Sequence, residues 1–275
     1  MRLLTACLLT ALFVLPGTAA ATGCGAAEPC RIEMGSYHLA MPSELDGPAP
    51  VILHFHGYGS SGAAALRNAP VVETATARGY IFVALDGTPG PFAPQRNDWS
   101  VRDGTPPWRD EAGFARAVLD DVAQRHAVDR ERVLMTGFSR GGSMVWDIAC
   151  HDPVGFTAFA PASGAFWRPL PEVCSGPVKL LHHHGWSDKV VPIEGRQIPG
   201  LSIRQGDVFA GMQVLREAAG LGDDLPQSFA VDGDTLCRLW MDQALQLCLH
   251  RGGHSPPPGW IDQVLDWFER QAPAG

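Results

Sequence analysis

The sequence has no excess of positive charge, and this absence argues against partners that are themselves strongly negative. Its 275 residues carry 21 Lys and Arg against 29 Asp and Glu, which gives a formal net charge of −8. No basic patch, internal repeat or long low-complexity tract occurs. Because nucleic acids and anionic membranes attract basic surfaces, this composition disfavours both as partners. The length and a hydrophobic content of 45% suit one globular domain with a sizeable core.

The N-terminus also lacks an apolar run long enough to span a bilayer. Met1-Arg2 is followed by a short apolar core over residues 3–15 and then by small residues. This pattern predicts a secretory signal peptide over residues 1–21, cleaved near Ala20 or Ala21. We therefore expect a secreted or periplasmic protein.

Two alternatives for this N-terminal segment stay open. A membrane anchor would need a longer apolar run, since a spanning helix takes about 20 residues. The other alternative is a lipoprotein signal, because Ala21-Thr22-Gly23-Cys24 loosely resembles a lipobox that lacks its usual leucine.

Cysteine is scarce, but its number is informative. Of the 7 cysteines, Cys7 lies in the predicted signal peptide. An even number of cysteines then remains, which in an exported protein indicates disulfides. Their pairing could follow many connectivities. These cysteines are Cys24, Cys30, Cys150, Cys174, Cys237 and Cys248.

One disulfide pair follows from strand geometry. Residues 236–240 and 245–249 alternate like the two strands of a hairpin, and a turn at Asp242-Gln243 would set Cys237 opposite Cys248. Directly opposed residues have Cβ atoms about 5 Å apart, which suits a disulfide.

The other four cysteines are assigned by weaker arguments. Cys24 and Cys30 are close in sequence and are expected to pair, which leaves Cys150 and Cys174 for each other. The alternative is that some of these cysteines are free and buried.

Strand-like and helix-like segments alternate along the rest of the chain. Strands are predicted over residues 36–41, 51–56, 80–85, 133–136 and 178–183, with helices near 114–122, 208–219 and 261–268. Residues 87–108, rich in Pro, Gly and Asn, are predicted to form a surface loop. This order predicts an α/β fold, a mostly parallel sheet with helices on both faces, in one domain over residues 22–275.

No segment of this plan is left over for a large cap domain. The sequence also shows no Ser/Thr-rich linker or second binding domain. We therefore expect an open functional site on a single domain.

The most informative motif is Gly137-Phe138-Ser139-Arg140-Gly141, which matches G-x-S-x-G between a predicted strand and a predicted helix. Such a turn raises a serine hydroxyl above a sheet, and its crowded backbone favours flanking glycines. Ser139 is thus the candidate nucleophile, and Ser143, one turn further on, is its rival.

An acid and a base follow in the order typical of α/β-hydrolases. Asp188 comes just after a predicted strand, and His254 lies on the loop after the last strand. The order Ser139, Asp188, His254 differs from that of chymotrypsin and subtilisin. Asp147 is the rival acid and His250 the rival base, but the first lies in a helix and the second inside a strand.

A His-Gly turn after an early strand supplies backbone N–H donors near the candidate triad. Gly57-Tyr58 follows the strand over residues 51–56. We expect the backbone N–H groups of Tyr58 and Arg140 to form an oxyanion hole, which stabilises the tetrahedral intermediate of acyl transfer.

Histidines elsewhere are weak metal candidates, and no metal or cofactor is expected. His182, His183 and His184 are adjacent in a strand, so they point to alternate faces. His54 and His56 share a strand face, but they shape the turn before Tyr58. Trp186, between His184 and Asp188, is the tryptophan proposed to touch substrate.

Four segments carry a resemblance to a known family. HFHGYGSSG (54–62), GFSRGGSM (137–144), HGWSDKVVP (184–192) and GGHSPPPGW (252–260) resemble the secreted polyhydroxybutyrate depolymerase and feruloyl esterase group of α/β-hydrolases. The similarity runs from about Met34 to Phe268. It implies Ser139 as nucleophile, Asp188 as acid and His254 as base.

Two positions depart from that family's pattern. Arg140 stands where relatives often carry a smaller polar residue. The tryptophan that usually follows the base is replaced by Pro256-Pro257-Pro258, and Trp260 arrives later.

The resemblance implies a secreted serine carboxylesterase of the polyhydroxybutyrate depolymerase type, which hydrolyses hydroxyalkanoate oligomer esters through an acyl-enzyme. The alternative is a feruloyl or acetyl esterase that acts on plant polysaccharide. A third hypothesis, from another class, is a non-catalytic exported scaffold of the same fold. The expected partner is an ester substrate, and the sequence indicates no oligomeric state.

Overall fold

The computed structural model describes residues 24–25, 27–45 and 47–271. The predicted signal peptide lies outside these residues. The strands are β1 (Cys30–Ile32), β2 (Gly35–Ala40), β3 (Ala49–Phe55), β4 (Ile81–Leu85), β5 (Thr88–Gly90), β6 (Ala93–Asp98), β7 (Val128–Phe138), β8 (Ala158–Ala162), β9 (Leu180–Gly185), β10 (Ser228–Asp232), β11 (Thr235–Trp240) and β12 (Leu245–His250). The helices are α1 (Gly62–Leu66), α2 (Ala69–Ala77), α3 (Glu111–Arg125), α4 (Arg140–His151), α5 (Val208–Ala218) and α6 (Trp260–Gln271).

A 10-stranded sheet organises the molecule, in the order β1-β2-β4-β3-β7-β8-β9-β12-β11-β10. The central strands from β4 to β12 pair in parallel, and antiparallel pairs flank them at both edges. Because the carboxyl ends of parallel strands meet at one edge of the sheet, the loops that follow β3, β7, β9 and β12 come together there.

Helices cover both faces of this sheet. Along β3, Val51, Leu53 and Phe55 pack into the core cluster that includes residues of α3, α4 and α5. Ile52, which points the other way, packs into the second cluster with α2 and α6. A strand buried on both faces needs apolar residues at every position, which explains the continuous run in β3. The predicted mostly parallel sheet with helices on both faces is confirmed.

Some elements escaped the sequence-based prediction. Residues 87–108, expected as a loop, contain β5 and β6, which form a small antiparallel sheet of their own. Strand β8 was missed because its sequence, AFAPA, has small residues and a proline in place of β-branched ones, although every residue is buried. Edge strand β10 was also missed, and it is exposed throughout.

The hairpin of β11 and β12 has the predicted register. Cys237 pairs directly with Cys248, and the turn is built from Met241, Asp242 and Gln243, all with positive φ. Three disulfides link Cys24 to Cys30, Cys150 to Cys174 and Cys237 to Cys248. Among the residues with described positions, no helix is both long and apolar enough to cross a bilayer.

A buried carboxylate lies in α4, on the helix that follows Ser139. Asp147 is 3% exposed, and its Oδ2 accepts the backbone N–H of Arg102 at 2.6 Å. Burial raises the pKa of Asp147 from 3.8 to about 7, against the lowering effects of the Arg102 N–H and the Arg140 charge. The folded state therefore holds a proton that the unfolded chain releases between these two pH values.

The disulfides yield a first prediction. Cys150→Ala/Cys174→Ala opens a link between residues 24 apart, and we expect it to lower the free energy of unfolding by about 2–4 kcal/mol in urea titrations. Cys237→Ala/Cys248→Ala opens a link between residues 11 apart, which the hairpin already holds together. It should therefore lower the free energy of unfolding by less. Non-reducing peptide mapping of the unmodified protein should recover all three links. Free thiols at these positions in the native protein would contradict the pairing.

The Asp147 carboxyl yields a second prediction, on stability against pH. Because its folded pKa is raised, the contribution of Asp147 to the free energy of unfolding should be largest below about pH 3.8 and be lost as the pH rises to about 7. Asp147→Asn removes this titration, so its free energy of unfolding minus that of wild type should be larger at pH 8 than at pH 5 by about 2.5 kcal/mol. Asp120→Asn, at an exposed carboxylate, is the matched control. Parallel pH profiles for wild type and Asp147→Asn would refute the buried titration.

Candidate active site

Ser139 lies on the turn between β7 and α4, with φ 58° and ψ −121°. A non-glycine residue with positive φ is strained, and such strain is typical of functional turns. The glycines on either side are required by close approach, since a Cβ on Gly137 would collide with the carbonyl of Gly141, and one on Gly141 with the carbonyl of Phe55. The Ser139 hydroxyl does not cap the helix and stays available.

The three residues predicted as a triad lie in hydrogen-bond contact. His254 Nε2 is 2.8 Å from Ser139 Oγ, and His254 Nδ1 is 2.7 Å from Asp188 Oδ2. A neutral His254 with its proton on Nδ1 donates to the carboxylate, and its Nε2 then accepts the serine hydroxyl. This arrangement can remove a proton from Ser139 as its oxygen attacks a carbonyl carbon.

Asp188 is held by the backbone of its own loop. Its Oδ1 accepts the N–H groups of Val190 and Val191, each at 2.8 Å. Burial alone would raise the pKa of Asp188, but the hydrogen bonds from His254 and from these N–H groups lower it below its ordinary value. Asp188 therefore stays ionised and can hold the imidazole in one tautomer.

The turn after β3 lies beside Ser139. A Cβ placed on Gly57 would be 3.5 Å from the Cβ of Ser139. In the described part of the chain, no acceptor takes the backbone N–H of the next residue, Tyr58. The N–H of Arg140 lies in the first turn of α4, where a helix offers no internal acceptor. Both N–H groups are thus free for the oxyanion role, which remains a prediction.

A cavity of about 250 Å³ opens beside Ser139. The segment that follows Asp188 contributes nearly half of the residues that line it, and sequence reasoning missed these side chains. The only signal was a set of apolar residues in a loop without helical or strand periodicity. Its apolar lining consists of Phe92, Trp167, Val190, Val191, Ile198, Leu201 and Ile203. Trp186 is 62% exposed and is not part of this lining.

The rival residues have other partners. Ser143 Oγ accepts the N–H of Ala165 and the indole N–H of Trp167. His250 Nδ1 accepts the N–H of Gly252, and Asp147 bonds to Arg102 rather than to a histidine.

The histidines at or next to the ends of β3 and β9 are packed as neutral rings. His182 and His184 share one strand face and contact each other at 3.0 Å, whereas His183 faces Gln263 on the opposite side. Burial lowers the pKa of His183 to about 4 and that of His54 to about 3. His56 Nε2 accepts the N–H of Gly87. Over the residues that the structure describes, no group of three or more His, Cys, Asp or Glu side chains could hold a metal ion.

The chain is similar in sequence to several proteins that are named as esterases. No family model matches the chain. It is 30% identical over 147 residues to NocK of Nocardia uniformis subsp. tsuyamanensis, named as a candidate esterase, in a match that covers 53% of this chain and 42% of that protein. It is 25% identical over 177 residues to a bifunctional acetylxylan esterase/xylanase of Neocallimastix patriciarum, covering 62% and 24%.

The match to a third relative covers a larger share of both proteins. The chain is 27% identical over 233 residues to feruloyl esterase D of Neurospora crassa, covering 73% of this chain and 74% of that protein. By contrast, the chain spans less than half the length of the first two relatives.

Solved structures give the fold. An acetyl xylan esterase from Aspergillus awamori superposes with a TM-score of 0.61 at 15% identity, over 85% of this chain and 93% of that chain. A Bacillus cereus carboxylesterase gives a TM-score of 0.56 at 13% identity, over 87% and 95%. The chain therefore has the α/β-hydrolase fold, and its relatives are esterases that include feruloyl and acetylxylan esterases, the group that its motifs resemble.

Proposed function

We propose that the protein is a serine carboxylesterase that hydrolyses esters through an acyl-enzyme. The observation that carries this proposal is the continuous hydrogen-bonded path from Ser139 through His254 to Asp188, set on a strained turn. The esterase names of the relatives support the same activity.

The proposed reaction has two half-reactions. Ser139 Oγ attacks the ester carbonyl while His254 takes its proton, and the oxyanion that forms is stabilised by the N–H groups of Tyr58 and Arg140. His254 then gives the proton to the departing alcohol, which leaves Ser139 acylated. A water molecule then attacks the acyl carbon while His254 takes its proton; His254 returns this proton to Ser139 Oγ as the acyl–oxygen bond breaks and the acid leaves. Asp188 stabilises the imidazolium that each step creates.

Two substrate classes fit this chemistry. The motif resemblance supports hydroxyalkanoate oligomer esters. The named relatives support feruloyl or acetyl esters of plant polysaccharide at least as well. In either class, Trp186 is proposed to contact the part of the substrate that extends beyond the cavity, since its ring is mostly exposed.

We also propose that the protein is exported and that residues 22–275 form one catalytic domain. The three disulfides support this location, because disulfides persist in oxidising compartments. The competing hypothesis, a non-catalytic scaffold, predicts no covalent labelling of folded protein by a fluorophosphonate.

The third prediction tests the nucleophile. Ser139→Ala should fold normally but lose p-nitrophenyl butyrate hydrolysis by at least about 10³-fold, because no other group can form the acyl-enzyme. Fluorophosphonate should label wild type at Ser139 and leave the variant unlabelled.

The rival serine provides the control. Ser143→Ala leaves the N–H groups of Ala165 and Trp167 without an acceptor, so some stability is lost, but the label should still attach at Ser139. Comparable hydrolysis by Ser139→Ala and wild type would refute the triad.

The fourth prediction concerns acyl size. A cavity of about 250 Å³ is smaller than the range of about 300–1,000 Å³ that is typical of ligand pockets. Short acyl groups should therefore fit, and a palmitoyl chain should not. Across p-nitrophenyl esters, kcat/KM for butyrate should exceed that for palmitate by at least about tenfold. A preference for palmitate or for long-chain triglyceride would show that the cavity does not hold the acyl group.

A further inference from the structure

Three consecutive residues, Asn97, Asp98 and Trp99, bond to both halves of the proposed oxyanion hole. One half is the N–H of Tyr58 in the turn after β3, and the other is the N–H of Arg140 in the first turn of α4. The first two of the three residues end β6, which pairs with β5 in a small sheet separate from the 10-stranded sheet. Because this small sheet adds no strand to the main one, its contacts indicate its role.

Asn97 holds the far side of the turn that carries Tyr58. The carbonyl of Gly57 accepts the N–H of Ser60 at 3.1 Å, which closes the turn. Gly59 has φ 73°, as a type II turn requires at its third residue. The Gly59 N–H donates to the Asn97 carbonyl at 2.8 Å, and the Asn97 side-chain amide donates to the Ser60 carbonyl at 2.9 Å. Asn97 thus fixes the turn through its backbone and its side chain, and leaves the Tyr58 N–H free.

Trp99 holds the near side of the same turn. Its indole N–H donates to the carbonyl of His56 at 2.7 Å. The Trp99 ring is fully buried, and its centre lies 4.7 Å from the ring centres of both Phe55 and His56. The His56 ring is held in turn, because its Nε2 accepts the N–H of Gly87. The point at which the chain leaves β3 is therefore fixed by a hydrogen bond and by packing.

Asp98 bonds to the residue that carries the other donor. Its Oδ1 accepts Arg140 Nε at 2.8 Å and also the backbone N–H of Trp99 at 2.8 Å. Arg140 Nη2 donates to Asp103 Oδ2 at 3.1 Å, and the guanidinium carbon lies 4.4 Å from the centre of the Trp167 ring. Arg140 is the first residue of α4, so these contacts tie the start of that helix to the end of β6.

The burial of this ion pair indicates a geometric role. The side chains of Arg140 and Asp98 are only 6% and 7% exposed. Removing two charges from water offsets much of their attraction, so a buried pair is a weak source of stability. Any residue except proline at position 140 would offer the same backbone N–H. What the Arg140 side chain adds is a directional, charge-assisted link between two elements.

We propose that Asn97, Asp98 and Trp99 are positioning residues that hold the two donors of the oxyanion hole at a fixed distance from each other. This inference rests on the proposed esterase function. Asn97 and Trp99 act through the turn that carries Tyr58. Asp98 acts through the side chain of Arg140. Both donors must lie about 2.7–3.1 Å from one oxygen to stabilise its charge, and a displacement of about 1 Å can lower a rate by as much as about 10²-fold.

The test removes one hydrogen bond at a time without adding charge. Asn97→Ala removes the amide bond to Ser60, and Trp99→Phe removes the bond to His56 but keeps an aromatic ring in the core. We expect kcat for p-nitrophenyl butyrate to fall by about tenfold in each variant, with KM nearly unchanged. The reason is that an oxyanion forms in both acylation and deacylation, so both rates fall together.

Butylboronic acid provides a second readout, because its adduct resembles the tetrahedral intermediate. Ser139 Oγ adds to boron while its proton passes to His254, and the tetrahedral boronate places a boron-bound oxygen in the oxyanion hole. Its inhibition constant should rise by about tenfold in both variants. The midpoint of the pH–rate profile should stay that of wild type, because the contact between His254 and Asp188 is unchanged.

Gln95→Ala is the matched control, because Gln95 is an exposed amide on the same strand. Its kcat, KM and inhibition constant should equal those of wild type. Unchanged kcat and inhibition constant in folded Asn97→Ala overturn the inference and leave the esterase proposal standing. A rise in KM alone, or a loss of kcat without weaker boronate inhibition, also overturns it. Asn97 is only partly buried, so Asn97→Ala decides the test if Trp99→Phe does not fold. A wild type that hydrolyses no p-nitrophenyl ester overturns both proposals.

Discussion

The close approach of the Ser139 turn to its neighbours is the constraint on which the site depends. A side chain on Gly137 or Gly141 would meet backbone atoms, and one on Gly164, after β8, would lie within 2.8 Å of the Ser139 carbonyl oxygen. Only glycine lets β3, β8 and the start of α4 converge so closely. This contact brings the Gly57-Tyr58 turn to Ser139, and the parallel order of β7, β9 and β12 brings Asp188 and His254 to the same edge. The strain at Ser139 persists because all of these strands hold it.

Sequence reasoning reached the parts of the molecule that carry strong local signals. The turn around Ser139, the strand ends before Asp188 and His254, and the facing cysteines of the hairpin each follow from a period or a motif. It did not reach β8, whose small residues are strand only because neighbours bury them on both sides. Nor did it reach the cavity wall, since the side chains from Val190 to Gln205 lie in a loop whose path is set by tertiary contacts such as the Trp167–Gln205 bridge.

The three consecutive histidines of β9 show how packing distinguishes between metal ligands and buried neutral rings. His184 Nε2 donates to the carbonyl of Val191 at 2.8 Å, and its Nδ1 faces His182 Nε2. With Trp146 Nε1 as the donor to His182 Nδ1, both rings are neutral and the Pro161 carbonyl, 3.0 Å from the same nitrogen, receives no proton from it. These buried rings therefore support the loop that follows Asp188. Alternation along β9 sends His183 to the other face of the sheet, where it takes no part in that support.

The residues Val190 and Val191 contribute to the site through two separate sets of atoms. Their backbone N–H groups hold the carboxylate of Asp188, whereas their side chains form part of the cavity wall. A backbone N–H is common to every residue except proline. Mutation could therefore reshape the wall at these two positions while the acid keeps both of its donors. In the proposed esterase, one short loop thus carries the support of the chemical step on its backbone and the choice of substrate on its side chains, an arrangement in which single substitutions can change specificity while Asp188 keeps its donors.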